Sequence, residues 1–264
     1  MGERAPLDVA ALGLPTPRTD GYAPQAVAFA RSAWPLRAAE ELRSALIFRA
    51  LAYASARSPI TSGWVSRFAS AASDEVRHAR LCSAVGSRLG ASSPQWDARP
   101  VKARLAPLRR PLVRASALAL IEVAVGETIS MALFRAGRRA AVEPLTRSAL
   151  ERILTDEVRH QRLGWSAITA WWPELPEEVR ETLQEEARAG LGAMEQQIAA
   201  PALRRLDAGT PFEPAYSSLG VLSPESRVEA FYAAVERLVL PRLVRLGLDA
   251  DRAWRDRYAP VRQH

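Results

Sequence analysis

Two of the three histidines in these 264 residues close the same pentapeptide, Asp-Glu-Val-Arg-His, at Asp74–His78 and again at Asp156–His160. The third, His264, is the last residue and is read as uninvolved. Each copy holds a Glu-x-x-His pair, and residues three apart project from one face of a helix. A carboxylate and an imidazole side by side make two metal ligands. Two such helices, with one further Glu from each of two more, supply six inward-facing ligands for a pair of metal ions.

The surrounding apolar residues place these pairs inside. Trp64, Phe68, Ala71, Glu75, His78, Cys82, Val85 and Leu89 follow one 4-3 seam, and Leu150, Ile153, Glu157, His160, Gly164, Ala167 and Trp171 follow another. A buried charge must be paired or bind metal, since leaving it bare costs several kcal/mol. The 4-3 spacing predicts helices over about Pro24–Ala56, Thr61–Leu89, Leu112–Arg139 and from Pro144 to just before Pro173, with Pro35 a candidate interruption of the first. Turns fall at Arg57-Ser58-Pro59 and Val142-Glu143-Pro144, and Gly90 closes the second helix. A proline-rich connection from Ala91 to Pro111, with Pro94 and Pro100 in it, separates helices two and three. The expected fold is therefore all-α: a ferritin-like four-helix bundle with one long crossover. Residues 1–24 read as an extended lead-in, 25–173 as the bundle, and 174–264 as a C-terminal helical extension packed on it. In that extension Val179, Leu183, Ala187, Leu191, Met194 and Ile198 mark one helix. Ser223-Pro224 starts another, with a kink expected at Pro241.

Helix one offers Glu40 and Glu41, and helix three offers Glu122 and Glu127. Residues at equal height in an antiparallel hairpin lie equally far from the turn. The midpoint of Glu41 and Glu75 falls in Arg-Ser-Pro, and that of Glu127 and Glu157 beside Val-Glu-Pro; Glu122 would set the turn near Arg139, a poorer place. The halves also repeat, with Glu41, Ser44, Phe48, Arg49 and Ala50 matching Glu127, Ser130, Phe134, Arg135 and Ala136 in register. Glu41 is preferred over Glu40 on that repeat alone. Four carboxylates and two neutral imidazoles cancel the charge of two divalent ions. Such a ligand set suits iron or manganese.

These residues resemble the ferritin-like di-iron carboxylate superfamily over about Pro24 to Trp172. The Asp-Glu-x-Arg-His form in both halves is most similar to soluble acyl-carrier-protein desaturases and bacterial multicomponent monooxygenases. The resemblance implies two iron ions, with an iron–manganese pair as the alternative, held by Glu41, Glu75, His78, Glu127, Glu157 and His160. It implies that Asp74 and Asp156 accept from the imidazole of the opposite motif and that Arg77 and Arg159 pair with those aspartates. Glu40 and Glu122 are supporting groups, alternative ligands or surface residues, which the sequence does not separate. Cys82, one turn after His78, and Ser44 and Ser130, each three after a ligand Glu, are candidates to line an oxygen pocket; a small packing residue is the plainer reading of all three.

The implied activity is dioxygen-dependent oxidation of a small-molecule or carrier-bound organic substrate, by hydroxylation, desaturation or N-oxygenation. An external electron donor is needed, because the chain shows no flavin fingerprint and a single cysteine, too few for an iron–sulfur cluster. Two other readings remain: a ferroxidase or peroxide scavenger, and a helical binding protein with a structural metal. The formal charge of +7 comes almost wholly from arginine, since Lys102 is the only lysine. The basic run Arg99–Arg114 offers an acidic carrier protein or ferredoxin a docking surface, though a solvated crossover is the preferred reading. It lacks interleaved aromatics, so no nucleic-acid partner is expected. No uninterrupted apolar run reaches the roughly 20 residues of a membrane span, and Met-Gly-Glu-Arg-Ala-Pro does not begin a secretory signal. The expectation is a cytoplasmic protein, a homodimer by family resemblance.

Overall fold

Helix α1 (Pro24–Ser55) runs 32 residues without a break, although Pro35 lies inside it. The expected interruption is absent. The proline ring finds room beside Gly86 of the neighbouring helix, where an added Cβ would sit 3.3 Å from the ring carbons. A turn built on Ser58 and Thr61 leads through a single 3-10 turn (Ser62–Trp64) into α2 (Val65–Arg88). Gly90, at φ +84°, ends α2, and Ala91 N–H returns to the Gly86 carbonyl at 2.9 Å.

The computed structural model describes residues 12–92, 96–209, 212 and 214–255. Residues 1–11 of the lead-in, Pro94 in the connection and His264 lie outside that set. Within the connection a short helix, α3 (Arg99–Leu105), forms where sequence periodicity showed only prolines.

The third long helix, Pro111–Ala140, has three parts: α4 (Pro111–Ala117), a π-helical segment (Leu118–Val125) and α5 (Gly126–Ala140). It is apolar and long enough to cross a membrane, but 67% of its most apolar stretch is buried among other helices, as a central core helix is. The widened π segment is received by glycines. A Cβ on Gly164 would lie 2.5 Å from the Ala124 nitrogen, and one on Gly190 would lie 2.4 Å from Ile121 Cγ2. Only a residue without a side chain fits at either place. The fourth long helix, α6 (Pro144–Trp171), is capped by Glu143, whose carboxylate accepts from Thr146 N–H at 2.8 Å and from Arg18 N–H at 3.1 Å.

Beyond Trp171 the chain stays helical: α7 (Glu177–Ile198), α8 (Ala200–Asp207), α9 (Pro214–Ser218), α10 (Pro224–Ala234), a π segment (Val235–Val239), α11 (Leu240–Leu246) and α12 (Ala250–Ala253). Ser223 caps α10 through the Ser226 N–H. Near Pro241 the helix does not simply kink; a π segment absorbs the change just before it. Helix α7 packs on α4 and the first π segment, and α10 packs on α5. Val179, Leu183, Ala187 and Leu191 are fully buried there, each contributing up to about 1.5–3 kcal/mol for the larger side chains. No strand occurs among the described residues.

Candidate metal centre

The α1–α2 and α5–α6 hairpins bring the two Glu-x-x-His motifs face to face in the middle of the bundle. One ligand atom each from Glu75, His78, Glu157 and His160 lies within 4.8 Å of the other three, and all four residues are buried. The motifs cross over. His160 Nδ1 is 2.8 Å from Glu75 Oε1, and His78 Nδ1 is 3.1 Å from Glu157 Oε1. Despite these distances, neither Nδ1 nor either Glu75 oxygen makes a properly aligned hydrogen bond.

The far side of each ring is anchored. His78 Nε2 lies 3.2 Å from Asp156 Oδ2, and His160 Nε2 lies 3.1 Å from Asp74 Oδ2. Each aspartate takes a guanidinium from its own motif, Arg77 to Asp74 and Arg159 to Asp156, and a longer contact from the other. A carboxylate at Nε2 places the proton there and presents Nδ1 as the lone pair facing inward. The arginines are half exposed, so they orient the aspartates more than they stabilise the fold.

Glu41 and Glu127 extend the cluster. Glu41 Oε2 is 3.7 Å from His78 Nδ1. Glu127 is buried against Glu157, whose charge adds to the effect of burial on it. Burial and the neighbouring carboxylates push the carboxyl groups of Glu41 and Glu127 well above the ordinary range. Glu75 and Glu157 go the other way: burial opposes ionisation, but contacts with both imidazoles outweigh it and hold them below their usual value. The imidazoles respond in kind. Burial disfavours the charged form of His160, yet Glu157 and Glu75 raise its pKa to about 10, and His78 is raised further still. Metal-free, the cluster thus favours protonated imidazoles beside ionised Glu75 and Glu157, with the carboxyls of Glu41 and Glu127 drawn toward their neutral forms.

Several other candidates lie elsewhere. Glu40 is exposed, one residue round the helix from buried Glu41, and does not face the cluster. Glu122 is no ligand and no supporting group for one: it bonds Arg43 and Arg104 at 2.7 and 2.8 Å, and Arg104 also takes Glu186. Ser44 and Ser130 are half buried, with no described bond to the cluster. Cys82 is fully buried close to Glu41 and His78, and burial, aided by Glu41, keeps its thiol protonated. The basic connection is partly committed within the molecule, since Arg114 donates to the Leu108 and Leu105 carbonyls and Arg104 is ion-paired.

Sequence reasoning missed Thr128 and Gln161, the neighbours of Glu127 and His160. Thr128 Oγ1 donates to the Ala124 carbonyl at 2.6 Å and accepts from Gln161 Nε2 at 3.2 Å and Trp165 Nε1 at 2.9 Å. A polar residue directly after a ligand candidate, Thr128 after Glu127 and Gln161 after His160, was the available signal. Phe48 packs on the His160 ring at 5.3 Å between centroids and keeps that side dry.

No protein-family model matches the chain, and no curated protein matches it in sequence. Among solved structures it is similar to "Protein 19 with aldehyde deformylating oxidase activity" from Synechococcus. The TM-score is 0.56, with 17% identity over 86% of this chain and 94% of that chain. The likeness and the helix order together make this fold a ferritin-like all-α bundle.

Proposed function

We propose that this chain is an oxygen-dependent di-iron oxidoreductase acting on an organic substrate. The observation that carries the reading is the convergence of Glu75, His78, Glu157 and His160, with unsatisfied buried oxygen and Nδ1 atoms, between Glu41 and Glu127. Buried polar atoms left without partners cost about 1–3 kcal/mol each, more when charged, and a metal pair removes that cost. The donor set fits: carboxylate-rich with two imidazoles, it suits iron, with an iron–manganese pair as the alternative. The chemistry of the similar Synechococcus protein, an aldehyde deformylating oxidase by its description, supports an oxidative role.

Glu41, Glu75, Glu127 and Glu157 would hold the metals with His78 and His160. Bound iron would supply electrons and open positions for dioxygen. The chain's own part is orientation and exclusion. Asp74 and Asp156 fix the rings, Phe48 and the π segment keep water out, and the buried carboxyls of Glu41 and Glu127 complete the donor set. A second electron source must come from a separate donor. Hydroxylation, desaturation and N-oxygenation are the proposed outcomes, on a small-molecule or carrier-bound substrate.

Metal analysis of protein expressed with added iron tests this, beside a Glu75→Ala/Glu157→Ala variant. About two irons per chain in the parent and almost none in the variant is the outcome expected from a six-ligand di-metal site. Oxygen uptake that requires an organic co-substrate then separates an oxygenase from a ferroxidase, which consumes oxygen with iron alone. Near-zero metal in both proteins removes the proposal.

A further inference from the structure

On the outer face of α6, against α11, lies a cleft of about 430 Å³ that the metal cluster does not use. Three arginines line it: Arg162 from α6, and Arg242 and Arg245 from α11. Ser166 and Thr169 add hydroxyls, and no carboxylate lines the cleft. Three positive charges therefore meet without an anion, and none of the three arginines has a carboxylate partner among the described ion pairs.

One of the guanidiniums is held in place before anything binds, and Arg245, which is exposed, makes one local bond. Arg242 lies over the Trp165 ring at 5.2 Å, and that indole is fixed by its bond to Thr128. Arg242 Nη1 is nevertheless buried with no hydrogen-bond partner. Burial and the nearby Arg245 charge lower the pKa of Arg242, the direction expected of a cation that lacks its counter-ion. Arg245 is steadied by its Nε bond to the Pro241 carbonyl at 3.2 Å, which leaves its terminal nitrogens for a ligand. A guanidinium with free terminal donors in a fixed orientation matches the paired oxygens of a phosphate.

We propose that this cleft binds the phosphate group of a small phosphorylated molecule, with Arg162, Arg242 and Arg245 as its cationic ligands and the Ser166 and Thr169 hydroxyls completing the shell. Three guanidiniums and two hydroxyls offer more donors than one carboxylate can accept from, whereas a phosphate dianion has three terminal oxygens. The volume lies in the range of small-molecule sites and exceeds a bare phosphate, leaving space for an organic remainder beside Leu246 and Trp165. The inner wall is Gln161, bonded to Thr128; these two follow His160 and Glu127 in the chain. The site is separate from the metal reading and stands whether or not the cluster binds iron.

Calorimetric titration of the full, metal-loaded chain at pH 8 tests it, with sodium phosphate, phenyl phosphate and benzoate as probes and chloride holding ionic strength constant. Saturable single-site binding of a phosphate is expected, weakened at least tenfold in Arg242→Gln/Arg245→Gln at unchanged metal content and melting temperature. Should that double variant fold poorly, Arg162→Gln alone is expected to weaken binding in the same direction. Tighter binding of phenyl phosphate than of inorganic phosphate identifies an organic phosphate monoester, and the reverse identifies free phosphate; either supports the site. Binding lost in Glu75→Ala/Glu157→Ala but kept in the arginine variants puts the anion on the metal cluster and overturns the proposal. So does benzoate binding as tightly as phenyl phosphate, or no saturable binding of either phosphate.

Discussion

The two halves of the candidate centre carry the same residue types on different scaffolds. Glu41, Glu75 and His78 sit on uninterrupted α-helices, whereas Glu127 follows an eight-residue π segment and faces Glu157 and His160 on α6. One turn after His78 stands Cys82, fully buried; one turn after His160 stands Gly164, with π backbone where a side chain would be. One turn before Glu41 stands Arg37, half-buried over Trp34 and donating to the Gly220 carbonyl; one turn before Glu127 stands Val123. The ligand set obeys a two-fold repeat and the supports do not. That difference places the close approach of Gly164 to the π backbone, and the polar group Thr128–Gln161–Trp165, behind the second half alone.

The largest effect treats the halves as equals. In each half the imidazole and one carboxyl are pushed toward their protonated forms, His78 with Glu41 and His160 with Glu127. Bound divalent ions favour the deprotonated forms, so metal binding displaces protons. Raised folded pKa values mean that proton-held stability is complete below the unfolded values and is lost as pH rises, for His160 from about 6.5 toward 10. Metal-free protein therefore weakens over that window while metal binding strengthens. A pH-stat should record protons released as metal binds near pH 7, and overall affinity should rise with pH. Metal binding without proton release would remove this account of the cluster.

Next in size is Gly164→Ala. Its Cβ would meet backbone, which cannot yield as a flexible side chain can, so about 3 kcal/mol of destabilisation is expected from overpacking. At roughly 2–4 °C per kcal/mol for a chain of this size, the melting temperature should drop by about 6–12 °C. An unchanged melting temperature would mean that the π segment relaxes to α-helix at little cost, and that the halves differ less than they look.

The paired aspartates follow. Asp74→Asn and Asp156→Asn each keep the shape behind one imidazole and remove the charge that orients it. Metal affinity should fall by about 10–100-fold in each, with the melting temperature of metal-free protein little altered. Asp74 is the more buried of the two, with 9% of its side chain exposed against 17% for Asp156, so its variant should lose more. Equal losses would favour the symmetric description.

What could be read from the chain followed from period and distance. The choice of Glu127 over Glu122 needed only the equal heights of an antiparallel hairpin, and the turns fall between Ser55 and Ser62 and between Ala140 and Pro144. Buried Glu41 and exposed Glu40 agree with the internal repeat. The π segment was not legible, because Leu118–Val125 is apolar almost all round and carries no period to be shifted. Its traces are indirect: Gly164 and Gly190, far apart in sequence, both lie against it. Glu122 was ambiguous because its partners, Arg43 and Arg104, come from α1 and α3, and a lone charge does not announce which of two helices will meet it. The arginine cleft joins positions about 80 residues apart, a closeness that only tertiary packing creates.

The smallest effect concerns Cys82, the first half's counterpart of Gly164. The chemical reading makes its sulfur a wall of the oxygen pocket; the packing reading makes it a small core residue. Its thiol is fully buried and kept protonated, so it is neither a thiolate ligand nor a ready nucleophile. Cys82→Ala removes one atom from a packed site and should cost about 1 kcal/mol. Metal content should stay at the parent value, and a thiol reagent should label the native parent only as fast as the protein opens. If oxygen-dependent turnover instead falls several-fold while the melting temperature barely moves, the sulfur acts on the pocket. The two halves would then differ in chemistry as well as in packing, with the reacting side on α2.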